Sequence, residues 1–293
     1  MIVTIHNDQL TLTADTLGAQ MQSITSYKGT EYLWNGDERY WKGRAPVLFP
    51  FVARLKDKTY TVNGGTYQMK IHGFASACEF EVAEQTESRV TFVLRDNEVT
   101  RAQFPFAFLF KVRYALKEST VEVTYTVDNP EDEMLHFGLG GHPGFNVPLK
   151  EGTSFEDYYL RFSQPCEPDR VGFSSEILVS GVDKRYELED GQIIRLHHDL
   201  FDHDAIVLKN MAKSVTIASD KTKRYVTVSY PQMPYVGFWH AERKDAPYVC
   251  IEPWVSLPAR DGVIEDFACK GDLIHLPGHG SYENTWYITI GEE

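Results

Sequence analysis

The sequence predicts an all-β protein, a large antiparallel β-sandwich, on three observations. Apolar and polar residues alternate in short segments along the whole chain, turn signals separate those segments at hairpin-like intervals, and no segment keeps a helical period for more than about ten residues. The clearest segment has Val121, Val123, Tyr125 and Val127 alternating with Glu122, Thr124 and Thr126. Successive side chains of a strand point to opposite faces, so one face packs inward while the other meets water or a second layer. Residues 2–5, 80–82, 90–94, 109–116, 205–208, 215–217, 225–230, 249–251 and 286–290 read as strands in the same way. Asn63-Gly64-Gly65, Asp128-Asn129-Pro130 and Arg260-Asp261-Gly262 supply turns. The missing helical period counts against βαβ crossovers and a parallel sheet. No linker, low-complexity tract or internal repeat interrupts the pattern, which predicts one domain over residues 1–293. Two large packed sheets would also bury edges that otherwise invite aggregation.

Composition narrows the function. Hydrophobic residues at 42% and charged residues at 24% fit a globular protein rather than a disordered or fibrous one. With 42 acidic against 29 basic residues, the net charge of −13 opposes phosphate backbones and anionic lipid, so neither nucleic acid nor membrane is an expected partner. Cys78, Cys166, Cys250 and Cys269 lie far apart with no CxxC spacing, which predicts no zinc knuckle or redox pair and a reduced, cytoplasmic setting. Met1 leads into Ile2-Val3-Thr4-Ile5 without a basic region, and no stretch reaches the roughly 18 apolar residues of a span. The expectation is a protein neither secreted nor inserted. Monomer and homodimer both stay open.

Four clusters bring ionisable and aromatic groups into loop-like surroundings: residues 49–55 (FPFVARL), 72–75 (HGFA), 140–146 (GGHPGFN) and 251–254 (IEPW). Arg54 reads equally as a surface arginine with its stem on the core and as a fork of donors for hydroxyls or a carboxylate. His72 reads as a structural histidine at least as readily as a functional one. His142 follows two glycines that allow close backbone approach and precedes Pro143, which suits a rigidly presented side chain. Glu252, before Pro253 and Trp254, is expected at a strand end where the chain leaves the sheet. The Trp254 indole beside it would suit the C–H face of a pyranose, while a carboxylate accepts from hydroxyls. Asp202-His203-Asp204 reads as a loop entering a strand, and as metal ligands these neighbours score poorly. The chain has no HExxH, GxSxG, Walker A or GxGxxG motif, so metalloprotease, α/β-hydrolase, P-loop and dinucleotide readings lack support.

In this order, FPFVARL, HGFA, GGHPGFN and IEPW resemble the aldose 1-epimerase (galactose mutarotase) family, most nearly its shorter LacX-type bacterial branch. The resemblance runs from Leu17-Gly18-Ala19 to Tyr287-Ile288-Thr289-Ile290. It implies the family's antiparallel supersandwich, a free aldose such as galactose or glucose as substrate, and no metal or organic cofactor. It implies His142 as general acid, Glu252 as general base, and Arg54, His72 and Asp204 as substrate-binding residues, with Asp202 as the alternative to Asp204. Trp254 would offer an apolar wall.

The larger mutarotases carry a Glu-Thr-Gln-like context at the base where this chain has Glu252-Pro253-Trp254. That departure leaves the sugar open. A hexose 6-phosphate would want further cations, for which Arg44 and Lys270 could serve. A non-catalytic carbohydrate-binding or sensing protein is the reading from a different class. Acid and base are expected on opposite sides of the C1–O5 bond, with His142 presenting a donor and Glu252 ionised.

Overall fold

A computed structural model describes residues 1–292, and two antiparallel sheets dominate it. The larger has nine strands in the order Ile193–Arg195, Tyr158–Phe162, Ser214–Ser219, Thr222–Ser229, Ser281–Gly291, Thr120–Asp128, Leu109–Lys117, Arg89–Arg95 and Glu81–Gln85. The second has eight. Lys184–Arg185, Asp169–Arg170, Ile206–Lys209, Tyr235–Trp239, Tyr248–Trp254, Gly140–Gly141 and Val47–Leu48 follow one another, and Gly144–Asn146 adds to the side of Tyr248–Trp254. An N-terminal three-stranded sheet, a small three-stranded sheet containing Thr59–Val62 and a two-stranded ribbon complete the β-structure. The α-helix among the described residues is the single turn Glu98–Arg101.

The alternation at residues 121–127 places Val121, Val123, Tyr125 and Val127 in the core. On the other face of the same sheet, threonines pair across strands, Thr120 with Thr289 at 2.8 Å and Thr124 with Thr285 at 2.9 Å. The main core joins this sheet to the inner face of the second one through residues such as Trp286, Phe162, Phe238 and Ile251. Phe162 meets Phe238 across the interface with ring centroids 6.2 Å apart. Gly141 shows how tight that packing is, since a Cβ there would lie 2.6 Å from the Trp286 ring. Asn63 and Gly64 both take positive φ and form a two-residue hairpin turn closed by the Val62–Gly65 pair.

Two differences from the sequence reading concern strands. Tyr158–Phe162 and Tyr235–Trp239 show no clear alternation because aromatic residues, Tyr159 in the first and Tyr235 and Trp239 in the second, occupy the face away from the main core and are largely covered there. Glu252 does not stand at a strand end. It lies inside Tyr248–Trp254, all of it buried. The Ile251 and Val255 amides donate to the Pro143 and Leu139 carbonyls, and Pro253 between them, turned to the same side, faces a neighbour interrupted at His142 and Pro143. A proline costs no ladder bond where the partner strand is broken.

Candidate functional site

The site is built on the outer face of the eight-stranded sheet. Along Tyr248–Trp254, Val249 and Ile251 enter the main core, so Tyr248, Cys250, Glu252 and Trp254 share the opposite face. Loops cover that face. Trp254 packs with Leu48, Val52, Ala205 and Val207, while Cys250 and Tyr248 pack with Trp34 and Ala246. Between these clusters lies a cavity of about 540 Å³ whose lining includes Arg54, His72, His142, Asp204, Glu252 and Trp254. All six residues singled out from the sequence thus meet in one place, although they span 200 positions of the chain.

His142 leaves the sheet in the break between Gly140–Gly141 and Gly144–Asn146. Its ring stacks on Trp41 at 4.9 Å and meets His72 and Trp239 edge-on at 5.4 and 5.7 Å. Its Nε2 stands 3.2 Å from Glu252 Oε2. The approach is not aligned as a hydrogen bond, and Glu252 Oε2 and His142 Nδ1 are buried without a hydrogen-bond partner. The Glu252 oxygen is therefore left free to bond a group that enters the cavity.

Burial is the first cause of the electrostatics here. It pushes the Glu252 carboxyl well above its ordinary value, aided by the negative charge of Asp204 and partly offset by the Trp254 indole. It pushes the His142 imidazolium well below its ordinary value, with His72 acting in the same direction. A stronger carboxylate base thus faces a stronger imidazolium acid.

His72 is fixed by its backbone. It takes a positive φ of 63°, its N–H donates to the Ala53 carbonyl at 3.0 Å, and its Nδ1 accepts from the Ala53 N–H at 3.1 Å. That acceptor role leaves the neutral ring's proton on Nε2. Burial, with Arg54 nearby, lowers its pKa to about 4, so the ring is a neutral donor. Gly73 follows at φ 75°, where a Cβ would sit 2.2 Å from the Phe49 carbonyl oxygen. Only glycine fits this crossing of residues 49–51 and 72–75.

Arg54 reaches Asp204 at 3.4 Å, Nη2 to Oδ2, and stays half-exposed. Asp204 sits on the turn before Ile206–Lys209 with φ 71°, and its Oδ1 accepts from the Ala205 amide at 2.7 Å. Asp202, the alternative, lines a neighbouring cavity, whereas Asp204 lines both.

Two expectations need correcting. At 3.2 Å, His142 and Glu252 stand side by side and cannot flank a hemiacetal from opposite sides. They can address O1 and O5 from one side, because both oxygens are bonded to C1 and lie closer together than a hydrogen bond of about 2.8 Å. Arg44 and Lys270 are not at the cavity. Arg44 donates to the Gln22 carbonyl at 2.7 Å, and Lys270 is buried against Asp272 with its ammonium over the Phe51 ring. The additional cation that lines the cavity is Lys42.

Trp41 and Trp239 also line the cavity, and Cys250 lies beneath it next to His142 and Glu252, although the motifs do not single these out. Trp41 lies in a loop without periodic pattern, and Trp239 ends a strand largely covered on both faces. Cys250 carries a usable signal, since residues i and i+2 of a strand share a face and it stands two before Glu252. His142, Cys250 and Glu252 each offer a donor atom within 4.8 Å of the others, the one such group among the described residues.

A cavity walled by indoles, holding a carboxylate, an imidazole and a guanidinium on a two-sheet antiparallel scaffold, defines a small-molecule site suited to a polyhydroxylated ring. The aldose 1-epimerase family model matches residues 1–257, and the chain belongs to that family. It is 33% identical over 266 residues to the chromosomal protein LacX of Lactococcus lactis, covering 88% of each chain. Among solved structures it resembles a galactose mutarotase related enzyme from Lactobacillus acidophilus, with 34% identity, a TM-score of 0.95 and coverage of 100% of this chain and 98% of that one. A galactose mutarotase-like protein from Lactobacillus casei is similar at 31% identity and a TM-score of 0.92, with 99% and 100% covered. The fold expected from the motifs is therefore the fold observed. No helix among the described residues is long and apolar enough to cross a membrane.

Proposed function

We propose that the protein is an aldose 1-epimerase that interconverts the α and β anomers of a free aldose, with Glu252 as general base and His142 as general acid. The observation that carries this reading is the 3.2 Å approach of His142 Nε2 and Glu252 Oε2 on two buried residues, with the carboxylate oxygen free of any hydrogen bond. Glu252 takes the proton of the anomeric hydroxyl, the C1–O5 bond breaks as the C1 carbonyl forms, and O5 takes a proton from His142. Rotation about C1–C2 presents the other carbonyl face. O5 then attacks C1, its proton returns to His142, and the new anomeric oxygen recovers the proton held on Glu252.

The proton count explains why the two opposed shifts matter. Before opening the pair is carboxylate and imidazolium; after opening it is carboxylic acid and imidazole. The two forms are tautomers of a pair sharing one proton. Raising the affinity of Glu252 while lowering that of His142 favours the form that holds the proton on Glu252, which is the direction of ring opening. Acid and base catalysis each contribute about 10²–10⁴-fold, and positioning supplies the rest. His72 Nε2–H and Arg54 donate to ring hydroxyls, Asp204 accepts, and Trp254 gives the apolar wall.

Polarimetry of freshly dissolved α-galactose and α-glucose tests the proposal. The expected result is equilibration faster than in buffer in proportion to protein concentration; an unchanged rate with both sugars, while calorimetry detects sugar binding, leaves a binding protein. A hexose 6-phosphate is the second reading, favoured by Lys42, an exposed cavity residue that forms no ion pair among the described residues. Competing free and phosphorylated sugar in one assay separates the two.

A further inference from the structure

We propose that His142, Cys250 and Glu252 form a three-ligand site for a borderline-soft divalent cation of the zinc class, whose binding blocks sugar turnover. The blocking clause rests on the epimerase reading; the site itself does not.

The donor set is one nitrogen, one sulfur and one carboxylate oxygen, all within 4.8 Å of one another and all on buried residues. Zinc holds such ligands at about 2.0–2.3 Å, so neighbouring ligand atoms of a tetrahedral site stand about 3.4–3.7 Å apart. The 3.2 Å between His142 Nε2 and Glu252 Oε2 is within a few tenths of an ångström of that edge. Closing the sulfur onto the ion needs movement of about an ångström. Cys250 and Glu252 lie on the same face of one strand, and His142 stands in the short break of its neighbour, anchored by paired backbone on either side.

An independent observation points to a missing partner. Glu252 Oε2 is buried without a hydrogen bond, although its side chain is only 2% exposed. A buried carboxylate oxygen that bonds nothing is costly, and a cation is the partner that reverses that cost. Charge balance agrees. Zn²⁺ with one carboxylate, one thiolate and a neutral imidazole sums to zero, which allows burial without an unpaired charge. The thiol proton leaves to water as the sulfur–metal bond forms, and no electrons are transferred. Three protein ligands leave a fourth position for water, and His142 and Glu252 line the cavity. With the ion in place, the Glu252 oxygen and the His142 nitrogen cannot move protons, so metal and sugar compete.

Cobalt, a spectroscopic probe for zinc, tests the site directly. Adding Co²⁺ to metal-free protein is expected to produce a thiolate-to-cobalt charge-transfer band that Zn²⁺ abolishes. The band should vanish in Cys250→Ser and survive in Cys269→Ser, which removes an exposed thiol. Zn²⁺ should slow anomer equilibration, and inhibition should need at least tenfold more metal in Cys250→Ser. Absence of the band in the wild-type protein, or its persistence without Cys250, overturns the site. Should Cys250→Ser not fold, Cys250→Ala and the loss of the wild-type band on adding sugar carry the same test. A band that depends on Cys250 in a protein with no epimerase activity would sink the functional reading and leave the metal site standing.

Discussion

His142 Nε2 and Glu252 Oε2 stand 3.2 Å apart on two buried residues of one cavity without forming a hydrogen bond. The carboxylate comes from the middle of an unbroken strand and the imidazole from the break in its neighbour. A buried carboxyl with an unpartnered oxygen is a standing cost to the fold.

That cost predicts opposite effects on stability and rate. Glu252→Gln removes the ionisable group while keeping its shape, so thermal melting at neutral pH should be unchanged or shifted upward. Anomer equilibration by the same variant should slow at least about 100-fold. A melting temperature well below wild type would show that the carboxylate stabilises the fold.

Gly73 carries the second prediction. Its φ is 75°, and a Cβ at this position would lie 2.2 Å from the Phe49 carbonyl oxygen, which leaves no room for alanine. Gly73→Ala should destabilise the protein by about 3 kcal/mol or more in denaturant unfolding, because backbone must shift where two motif segments cross. Loss of sugar affinity should accompany it through the displaced His72. Wild-type stability in this variant would contradict the crossing.

Acid should destabilise the fold through His240. This ring is fully buried between Phe155, Phe201 and Tyr248, its Nδ1 bonds the Ala241 carbonyl at 2.9 Å, and burial lowers its pKa to about 4. The unfolded chain binds a proton near pH 6.5 that the folded chain refuses until about 4. Stability is therefore full above pH 6.5 and falls as pH drops toward 4, by up to about 3 kcal/mol from this group. His72 acts in the same direction. Melting curves from pH 7 to 4 should show a decline that is shallower in His240→Gln.

Much of the fold is legible because half-buried antiparallel strands print their alternation on the sequence, as residues 121–127 do. Strands largely covered on both faces, such as Tyr235–Trp239, lose that signal, and so Trp239 cannot be read from it as a cavity wall. The site residues stand out through short motifs with glycine and proline, since close crossings such as Gly73 over Phe49 demand specific residues. What no local pattern carries is distance between remote segments. The side-by-side stance of His142 and Glu252, the position of Arg44 and Lys270 away from the cavity, and the proximity of Cys250 all depend on which strands pair.

Arg54 and Asp204 should act on binding more than on chemistry. Their 3.4 Å contact fixes a donor and an acceptor at the cavity beside the proton-moving pair. Arg54→Ala or Asp204→Ala should raise KM about tenfold or more with a smaller change in kcat. A fall in kcat at unchanged KM would place them in the transition state instead.

A double-variant cycle on the rate of anomer equilibration reads the shared-proton pair most directly. If His142 and Glu252 work as one unit, Glu252→Gln and His142→Asn each abolish most of the acceleration, and the double variant is no slower than the slower single one. Losses that multiply in the double variant would mean that the two residues act independently, and the shared-proton mechanism would be wrong.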